Sequence, residues 1–540
     1  MVFRNENTFR LGSDLIDRHF DRAAQTVRRG LGKRHPMYIA GKKVFSEEEV
    51  ETYSPSDREI VIGSFQKGTA DHARDAVLDA DEAFRFAWRS CDWKDRVRIM
   101  MAAARIMSEK KFELAALISY ENGKTRNESI GEVDEAIDFL RFYCQLVEQN
   151  QGLIINRRFP VPRRKVGDFG HQGARSIGER IKIVSKPFGV WGVIAPFNFP
   201  LSISTGMCAA AMITGNTVVF KPSFGDNPTP LTGIRMYQVF AVAGLPDGVL
   251  NCITGSGSEV GNELVENDSV KGLAFTGSRE VGLRMQRRAV DHSIPKQFVA
   301  EMGSKNPVIV TATADLDKAV TGVAHAAFGY AGQKCSASSR ALVHESVYDI
   351  FLNRLTRLVK ELKVGDPLRR ETYVGPLVGR AAFERYVASM DKARAEGRII
   401  WGGSPLRGEM PFDSGYYVEP AIIEVDQRSE LFRRELFLPI LAVVRFKGFE
   451  EAIELANDTE HGLTAGLYTG DQEEIDYFNN NIEFGTTYVN RDVSATTGAI
   501  VGQQSFVGFK GSSVRCKGTS SLSYLHEFVR EHSQTVVQKA

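Results

Sequence analysis

The first clear hydrophobic pattern along the chain is that of helices. Between about residues 71 and 150, apolar positions recur at the spacing of amphipathic helices, and residues 132–149 form a clear example. Gly123 suits the end of another helix in this region. The first 40 residues are polar and charged, which favours an arm or a surface helix.

From residue 187 onward the pattern alternates between short strand-like runs and helix-like segments. The strand-like runs of this part are FGVWGVIAPF, TVVFKPS, GVLNCITG and VKGLAFTGS. A second alternating stretch, from about 301 to 485, contains NPVIV, ALVHE and PILAVVRF. Alternation with short loops predicts an α/β fold with a parallel sheet and helices on both sheet faces.

Residues 159–186 interrupt this alternation. They are basic, have little apolar content before Ile181, and end in the alternating sequence IKIV. This composition predicts an exposed excursion or a hairpin, which more often forms a loop or an oligomer contact than a core element.

Composition narrows the class of protein. A length of 540 residues predicts two to four domains. The chain has 68 Lys plus Arg against 67 Asp plus Glu, so its charge gives no support for binding to nucleic acid or to a membrane surface. No apolar run reaches the length of a membrane span, and the first residues lack the apolar core of a signal peptide. We therefore expect a cytoplasmic protein.

The six cysteines contain no CxxC pair and are too few for a disulfide framework, so we expect reduced thiols and no metal site. Cys335 differs from the others because small, polar residues flank it in GYAGQKCSASSR, with Lys334 adjacent. Such flanks allow a ligand to approach, and a nearby positive charge lowers the pKa of a thiol. Cys335 is a candidate nucleophile; the alternative is an inert, buried cysteine, which is our interpretation of Cys208.

Two further side chains suit acyl chemistry. Glu301 ends an apolar run before Gly303 and could act as a general base, although a helix cap or a surface charge is the simpler interpretation of this residue alone. Asn198, in the turn IAPFNFP, could donate a hydrogen bond to an oxyanion; the alternative is that it caps the next helix.

A candidate cofactor site lies at FTGSREVG (275–282), between a predicted strand and a predicted helix. Its glycines and backbone N–H groups could hold a pyrophosphate, but it is not GxGxxG and is weak as a fingerprint by itself. Lys221 follows another strand and precedes Pro222, so we expect its side chain at the carboxyl end of the sheet, where a lysine is more often solvated than ligand-bound.

Six short motifs occur in an order that resembles the aldehyde dehydrogenase superfamily, from about Met37 to the C-terminus. They are PFNFP, VVFKPS, FTGS, EMGSKNP, GQKCSA and ELFLPI. The resemblance implies a homo-oligomer of at least two chains with three parts. These are a Rossmann-type cofactor domain (1–158 and 187–300), an α/β catalytic domain (301–485), and a β-flap for oligomerisation with a C-terminal tail (159–186 and 486–540).

The resemblance also implies roles for single residues. Cys335 would be the nucleophile and Glu301 the base that activates water. Asn198 would form an oxyanion hole with the backbone N–H of Cys335. The implied cofactor is NAD, with NADP possible because Phe224 stands where members that prefer NAD often have Glu. The implied cofactor-binding residues are Ile194, Pro196, Phe197, Lys221, Ser223, Gly257, Gly261, Gly277, Ser278, Gly282, Glu435 and Phe437.

Two strings, TTGAIVGQQ (496–504) and EVDEAIDFLRFY (132–143), are similar to the 1-pyrroline-5-carboxylate dehydrogenase branch of the superfamily. This implies oxidation of L-glutamate γ-semialdehyde to L-glutamate, in proline degradation. The implied substrate-binding residues are Gly498, Ala499 and Ser336 for the α-carboxylate, Glu135 for the ammonium, and Phe199 and Phe506 for the aliphatic part.

Three alternatives to this activity stay open at the level of sequence. Ser505 and Val507 depart from the usual Pro and Gly of the branch, so the substrate could be another small aldehyde, such as a different semialdehyde. The same cysteine could hydrolyse esters or thioesters without redox chemistry. A binding protein that kept the fold and lost the activity is the third alternative, although it would have no need for the Cys–Glu–Asn set.

Overall fold

The computed structural model describes residues 3–157, 178–225, 228–491, 500–514, 517–521 and 523–538. Within these residues no helix combines the length and the apolarity needed to cross a membrane. The α-helices are α1 (Ser13–Gly30), α2 (Ala70–Phe86), α3 (Trp93–Glu109), α4 (Lys111–Asn122), α5 (Arg126–Gln149), α6 (Ser202–Ile213), α7 (Pro230–Val242), α8 (Asn262–Glu266), α9 (Arg279–Val290), α10 (Leu316–Phe328), α11 (Glu345–Glu361), α12 (Arg380–Glu396), α13 (Glu430–Arg433), α14 (Phe449–Asn457) and α15 (Gln472–Asn481).

The strands belong to two large sheets and three small ones. They are β1 (Lys33–His35), β2 (Met37–Ile39), β3 (Lys42–Val44), β4 (Glu49–Tyr53), β5 (Val61–Gln66), β6 (Ile154–Arg157), β7 (Gly178–Pro187), β8 (Val190–Ile194), β9 (Thr217–Lys221), β10 (Leu250–Cys252), β11 (Val270–Thr276), β12 (Gln297–Glu301), β13 (Asn306–Val310), β14 (Ser338–His344), β15 (Gly397–Trp401), β16 (Ala421–Val425), β17 (Ile440–Phe446), β18 (His461–Gly462), β19 (Thr464–Tyr468), β20 (Thr486–Val489), β21 (Phe509–Lys510) and β22 (Val529–Gln538).

The first seven-stranded sheet has the order β12-β11-β8-β9-β10-β2-β3. Strands β8 to β12 pair in parallel, and β2 and β3 extend one edge antiparallel. Parallel neighbours need crossover connections, and α6, α7, α8 and α9 lie in those connections along the chain. The prediction of a parallel sheet from the alternating pattern is confirmed.

The second seven-stranded sheet has the order β15-β16-β17-β14-β13-β19-β20. Its strands pair in parallel except for β15, which lies antiparallel at one edge. The runs NPVIV, ALVHE and PILAVVRF fall in β13, β14 and β17, as predicted. The two large sheets establish the α/β class.

The excursion forms part of a three-stranded antiparallel sheet, in the order β22-β7-β6. The alternating end of the excursion lies in β7, which pairs antiparallel with β6, the strand just before the excursion; residues 158–177 lie outside the described residues, so the hairpin stays a prediction for them. Strand β22 pairs with the whole of β7, from Val529 opposite Pro187 to Gln538 opposite Gly178. The excursion and the end of the chain are thus joined in one sheet.

The N-terminal region differs from the polar arm that its composition suggested. Helix α1 forms as one alternative predicted, but Ile16, Phe20 and Ala23 on one of its faces are buried. Residues 37–39 form a strand of the first large sheet. Both features depend on distant apolar partners, which a local count of charged residues does not reveal.

Helices α4 and α5 contribute many buried residues to the largest apolar cluster of the described residues. Gly123 ends α4 with a positive φ of 78°, a conformation that favours glycine. Helix α5 is buried along most of its length, yet it carries Glu132, Asp134 and Asp138 at buried positions. Because a buried charge is costly unless it is paired, these carboxylates need partners, and one of them has its partners at the candidate site.

Candidate active site

The carboxyl ends of parallel strands meet at one edge of the first large sheet. In the β-ladder Ile194 pairs with Lys221 on one side and with Phe275 on the other. On the next strand pair, Thr276 is opposite Glu301. Residues from four distant parts of the sequence are therefore neighbours at the edge where ligands of open parallel sheets bind.

Cys335 lies between a short 3-10 segment, Gly329–Gly332, and β14, and its residue is half-buried. Just before it, Tyr330 and Ala331 have positive φ values of 49° and 51°, which non-glycine residues rarely adopt. From β13, the Asn306 amide donates a hydrogen bond to the Cys335 carbonyl oxygen at 2.8 Å. The backbone around the cysteine is thus held by its neighbours in an uncommon conformation.

The electrostatic surroundings of Cys335 are negative. Burial raises the pKa of its thiol to about 12. The charges of three carboxyl groups also contribute to this raised value: Glu435, Glu301 and Glu135. The expectation that Lys334 lowers the pKa is wrong for this structure, because its ammonium is paired with a carboxylate of α5 at 3.2 Å. The thiol therefore needs a positive group beside it, or a base, to react at neutral pH.

Glu301 is the last residue of β12 and is 8% exposed, so it is neither a helix cap nor a surface charge. Burial raises the pKa of its carboxyl well above the ordinary range. Its negative charge acts on Cys335, which shows that the two side chains lie within electrostatic reach of each other. A buried carboxyl with a raised pKa suits a base that takes up a proton near neutral pH.

Asn198 lies in the turn between β8 and α6 and is 4% exposed. The alternative that it caps α6 is not what the structure has, because the N–H groups of Leu201 and Ser202 donate to Oε1 of Glu132 at 2.7 and 3.3 Å. The Asn198 side chain is therefore not the acceptor for the first N–H groups of α6, and its amide can donate to another partner.

The other oxygen of Glu132 forms a fully buried ion pair. Lys124 Nζ donates to Glu132 Oε2 at 2.5 Å, and neither side chain is exposed to solvent. The same ammonium lies 3.3 Å from the ring centre of Phe199 and 5.0 Å from that of Tyr330. One buried pair thus contacts the Asn198 turn on one side and the segment that precedes Cys335 on the other.

A second set of contacts joins the same two parts of the site. The Asn122 amide donates to the Phe197 carbonyl oxygen at 3.3 Å, and the Tyr330 hydroxyl donates to the Asn122 carbonyl oxygen at 3.2 Å. The ring centre of Phe197 also lies 5.8 Å from that of Phe437. The turn that carries Asn198 is therefore fixed relative to the Cys335 segment and to the loop that carries Glu435.

Lys221, at the end of β9, is 4% exposed rather than solvated. Burial lowers the pKa of its ammonium to about 8. The ammonium donates to the Pro222 carbonyl oxygen at 3.3 Å. A buried cation at this sheet edge has hydrogen-bonding capacity left for the hydroxyl groups of a ligand, because an ammonium carries three donors.

The FTGS segment is the turn between β11 and α9, as predicted. Ser278 caps α9 and accepts from the Val281 N–H at 3.4 Å. A Cβ on Gly282 would lie 2.4 Å from the Met302 sulfur, so only glycine lets this helix approach the sheet so closely. A Cβ on Gly277 would lie 2.5 Å from the Phe275 ring. Helix α9 thus starts close to the sheet edge, with N–H groups at its first turn that suit a phosphate.

The remaining cofactor candidates come from three segments. Ile194 at the end of β8, Pro196 and Phe197 just after it, and Ser223 two residues after Lys221 are all half-buried. Gly257 and Gly261 bound a π-helical turn before α8, and a Cβ on Gly257 would meet open space. Glu435 and Phe437 lie in the loop before β17.

Glu435 contacts the backbone that follows the candidate base. Its Oε1 accepts from the Ser304 N–H at 2.7 Å, and a Cβ on Gly303 would collide with its carboxylate. Burial raises the pKa of Glu435 to about 7. Glycine at 303 therefore lets Glu435 reach the edge of the first sheet from the other half of the molecule.

The substrate candidates are only partly brought together. Glu135 lies on α5, and its charge acts on Cys335, while Ser336 follows Cys335 directly and is buried. The Lys124 ammonium lies over the ring of Phe199. Phe506 is half-buried and forms a β-bridge with Thr519. Gly498 and Ala499 lie outside the described residues.

Comparison with known proteins identifies the family. The model of the aldehyde dehydrogenase family matches residues 43–533. The chain belongs to the aldehyde dehydrogenase family. This confirms the resemblance on which the residue roles were based, and the α/β fold that the resemblance implied.

Relatives and solved structures agree with this assignment. A protein of Halalkalibacterium halodurans named 1-pyrroline-5-carboxylate dehydrogenase 1 is 36% identical to this aldehyde dehydrogenase over 521 residues, covering 95% of this chain and 94% of that protein. The NAD-bound crystal structure of a Thermus 1-pyrroline-5-carboxylate dehydrogenase has a TM-score of 0.89 at 34% identity and covers 99% of both chains. A Staphylococcus aureus betaine aldehyde dehydrogenase with NAD⁺ has a TM-score of 0.85 at 28% identity, covering 96% of this chain and 97% of that one.

Sequence reasoning missed several residues that this aldehyde dehydrogenase uses to build the site. Lys124, Glu132 and Asn306 are buried polar groups that hold the two loops with Asn198 and Cys335. A signal was present for one of them, because Glu132 falls on the apolar side of a predicted amphipathic helix. Ser513 had no local signal, since its contact with Glu301 joins residues 212 positions apart.

Proposed function

We propose that this aldehyde dehydrogenase oxidises L-glutamate γ-semialdehyde, the open form of 1-pyrroline-5-carboxylate, to L-glutamate. The observation that carries the proposal is the position of Glu135 on α5, about one turn after Glu132, which holds the start of α6, and close enough to act on Cys335. A carboxylate beside the nucleophile suits an aldehyde that also carries an ammonium group. The names of the relatives that match along nearly the whole chain support the same substrate.

In the proposed reaction Cys335 first loses its thiol proton to solvent water and then acts as a thiolate, the form to which it returns after each hydrolysis. Its sulfur adds to the aldehyde carbon, and the aldehyde oxygen takes the negative charge. The Asn198 amide and the Cys335 N–H donate to this oxyanion, and one such donor contributes on the order of 3 kcal/mol. When the carbonyl re-forms, the carbon loses its hydrogen with both bonding electrons and becomes a thioester of Cys335.

The second half of the reaction is hydrolysis of the thioester. Glu301 takes a proton from water while the water oxygen attacks the thioester carbon. The carbon–sulfur bond then breaks, the Cys335 thiolate leaves, and the acid is released. One half-buried cysteine and one buried carboxyl thus provide the nucleophile and the base for the two halves of the reaction.

NAD⁺, when bound, accepts the hydride that leaves the aldehyde carbon. The residues of this chain suit such a group. Lys221 offers buried donors for ribose hydroxyls, and the first turn of α9 after Ser278 offers N–H groups for the pyrophosphate. Phe224 presents no carboxylate that would repel a 2′-phosphate, so use of NADP as well stays part of the proposal.

The wider organisation is also a proposal. We assign residues 1–158 and 187–300 to cofactor binding, 301–485 to catalysis, and 159–186 with 486–540 to the flap and tail. The antiparallel sheet of β6, β7 and β22 supports a flap through which chains associate into a dimer or a larger homo-oligomer. Unpaired thiols among the described cysteines suit a reducing compartment such as the cytoplasm.

Steady-state kinetics with three aldehydes test the substrate. We expect kcat/KM for L-glutamate γ-semialdehyde to exceed that for succinic semialdehyde and propionaldehyde by at least about tenfold, since charge-assisted hydrogen bonds to the ammonium and carboxylate each contribute over 1 kcal/mol. Glu135→Gln should reduce this preference, whereas oxidation of propionaldehyde should change little. Equal use of the three aldehydes by the unmodified enzyme would show that the proposal is wrong.

A further inference from the structure

The backbone near the C-terminus pairs with the end of β12. The Met302 N–H donates to the Ser512 carbonyl oxygen at 2.8 Å, and the Val514 N–H donates to the Ala300 carbonyl oxygen at 3.1 Å. These two bonds form an antiparallel bridge in which Ser513 is directly opposite Glu301. The position of Ser513 relative to the candidate base is therefore set by the main chain rather than by flexible side chains.

Neighbouring contacts hold this short segment from both sides. The Ser512 hydroxyl donates to the Gly303 carbonyl oxygen at 2.8 Å and accepts from the Gly462 N–H at 3.0 Å. The Gly511 N–H donates to the Glu460 carbonyl oxygen at 2.8 Å. Because Ser512 is fully buried, a shift of Ser513 would break hydrogen bonds that water could not replace.

The two oxygens of the Glu301 carboxyl have different surroundings. The Ser513 hydroxyl donates to Oε1 at 3.3 Å. Oε2 is buried and, within the described part of the chain, has no hydrogen-bond partner. A buried carboxylate oxygen without a donor is a strong acceptor for any water that enters the site.

The ionisation of Glu301 depends on the same contact. Burial raises its pKa, and the hydrogen bond from Ser513 acts in the opposite direction. The charge of Glu301 acts on two other ionisable groups. They are Cys335, in the loop before β14, and Tyr524, in the 3-10 segment before β22. The negative charge of Glu301 raises the pKa values of both groups.

We propose that Ser513 is the positioning residue of the general base: its hydroxyl holds Oε1 of Glu301, so that Oε2 is left to take the proton of the water that attacks the thioester. This rests on the proposed roles of Cys335 and Glu301. Ser513 itself touches neither the substrate nor the cofactor. It acts on the hydrolytic half of the cycle, whereas the hydride step does not require a proton acceptor at Glu301.

The experiment compares Ser513→Ala with Ser513→Thr, which keeps a hydroxyl, and with Ser521→Ala as a matched control in the same C-terminal region. Formation of the acyl-enzyme and its hydrolysis are measured separately. The first is the burst of p-nitrophenol from p-nitrophenyl acetate, and the second is the loss of the acetylated chain, followed by mass spectrometry. Both rates are recorded from pH 5 to 9, together with the melting temperature of each variant.

For Ser513→Ala we expect hydrolysis at pH 7 to fall about tenfold, and its acidic limb to move up by about one pH unit, because a hydrogen bond to a charged group is lost. The burst and the melting temperature should change little, and Ser513→Thr should recover most of the loss. An unchanged pH profile in Ser513→Ala, or an equal fall in the burst, would overturn the role of Ser513.

The ester assay needs neither aldehyde nor cofactor, so its outcome is separate from that of the substrate proposal. An enzyme that forms and hydrolyses the acyl-enzyme but does not prefer L-glutamate γ-semialdehyde contradicts the proposed substrate alone. An enzyme that prefers this aldehyde while Ser513→Ala hydrolyses the acyl-enzyme like the unmodified chain contradicts the inference alone.

Discussion

The Lys124 ammonium lies 3.3 Å from the centre of the Phe199 ring, one residue from the candidate oxyanion donor Asn198. A cation over an aromatic face is attracted by the electrons of the ring, and more strongly when both are removed from water. The same ammonium is paired with Glu132, which accepts from the Leu201 and Ser202 N–H groups, so the turn is held at Phe199, Leu201 and Ser202. The geometry of the oxyanion hole therefore depends on a buried charge that touches no substrate.

Breaking this pair should destabilise the fold. In Glu132→Gln the ammonium of Lys124 stays buried without its counter-ion, so we expect the free energy of unfolding to fall by about 3–5 kcal/mol. The control is Glu109→Gln, in an exposed pair with Arg105, where the change should stay below about 1 kcal/mol. Chemical denaturation measures both.

A double variant separates stability from positioning. Lys124→Met with Glu132→Leu removes both charges, and such replacement of a buried pair is often neutral for stability. We expect stability to recover largely, but kcat to stay low because the Leu201 and Ser202 N–H groups lose their acceptor at the start of α6. Full recovery of kcat along with stability would show that the pair has no part in positioning Asn198.

Asn198→Ala should impair the first chemical step. Loss of one oxyanion donor costs roughly 10²–10³ in kcat, and we expect that loss here with little change in the binding of NAD. Stopped-flow measurement of the NADH burst and titration of NAD fluorescence quenching separate the two. Asn262→Ala, at an exposed position, is the control. A burst as fast as that of the unmodified enzyme would argue against the role of Asn198.

The Cys335 thiol should be unreactive at neutral pH in the enzyme without ligands. Since its pKa is raised to about 12, the thiolate fraction should increase about tenfold per pH unit between pH 7 and 10. Glu435→Gln removes the carboxylate that has the largest effect on the pKa of the thiol, and it should move the profile to lower pH. Iodoacetamide alkylation measures the rate, with Cys335→Ala as the background for other thiols. A plateau near pH 8.5 would contradict this prediction.

The N-terminal arm, residues 3–8, should stabilise the segment 500–504. The Asn5 amide donates to Asp138 at 2.8 Å and to the Val501 carbonyl oxygen at 2.9 Å, and it accepts from Gln503 at 2.8 Å. In Asn5→Ala we expect faster hydrogen exchange in residues 500–504 and a loss of about 1–2 kcal/mol in stability.

The matched control for the arm is Asn481→Ala, whose exposed side-chain amide donates to the Tyr477 carbonyl oxygen within α15 at 2.8 Å. It should leave exchange in residues 500–504 unchanged. Equal exchange in Asn5→Ala and the unmodified chain would show that the arm does not hold this segment.

Much of the fold could be predicted because its signals are local. The alternation of apolar runs with helical segments is a property of neighbouring residues, so β8, β9, β11 and α6 appear where the pattern indicates. Glycines that a turn or a close approach requires, such as Gly123 and Gly282, can also be recognised from the local sequence. The motifs around Asn198, Glu301 and Cys335 were recognisable for the same reason.

Other features depended on parts of the chain that are far apart in sequence. The burial of α1, the entry of residues 37–39 into the first large sheet and the pairing of β22 with β7 require distant partners. The positive charge next to Cys335 was misleading, because only the folded structure pairs Lys334 with a carboxylate and adds three others near the thiol. Charge acts through space, so the sequence neighbours of a titrating group do not determine its pKa.

The amino-acid sequence by itself determined the α/β class, the family and the identity of the three candidate catalytic side chains, because short motifs and local periodicity carry that information. Only the tertiary structure decided which groups hold them: Lys124 and Glu132 behind Asn198, Asn306 behind Cys335, and Ser513 opposite Glu301. Burial and hydrogen bonding between distant segments are properties of the packed chain, and they set the pKa values and positions on which the chemistry depends.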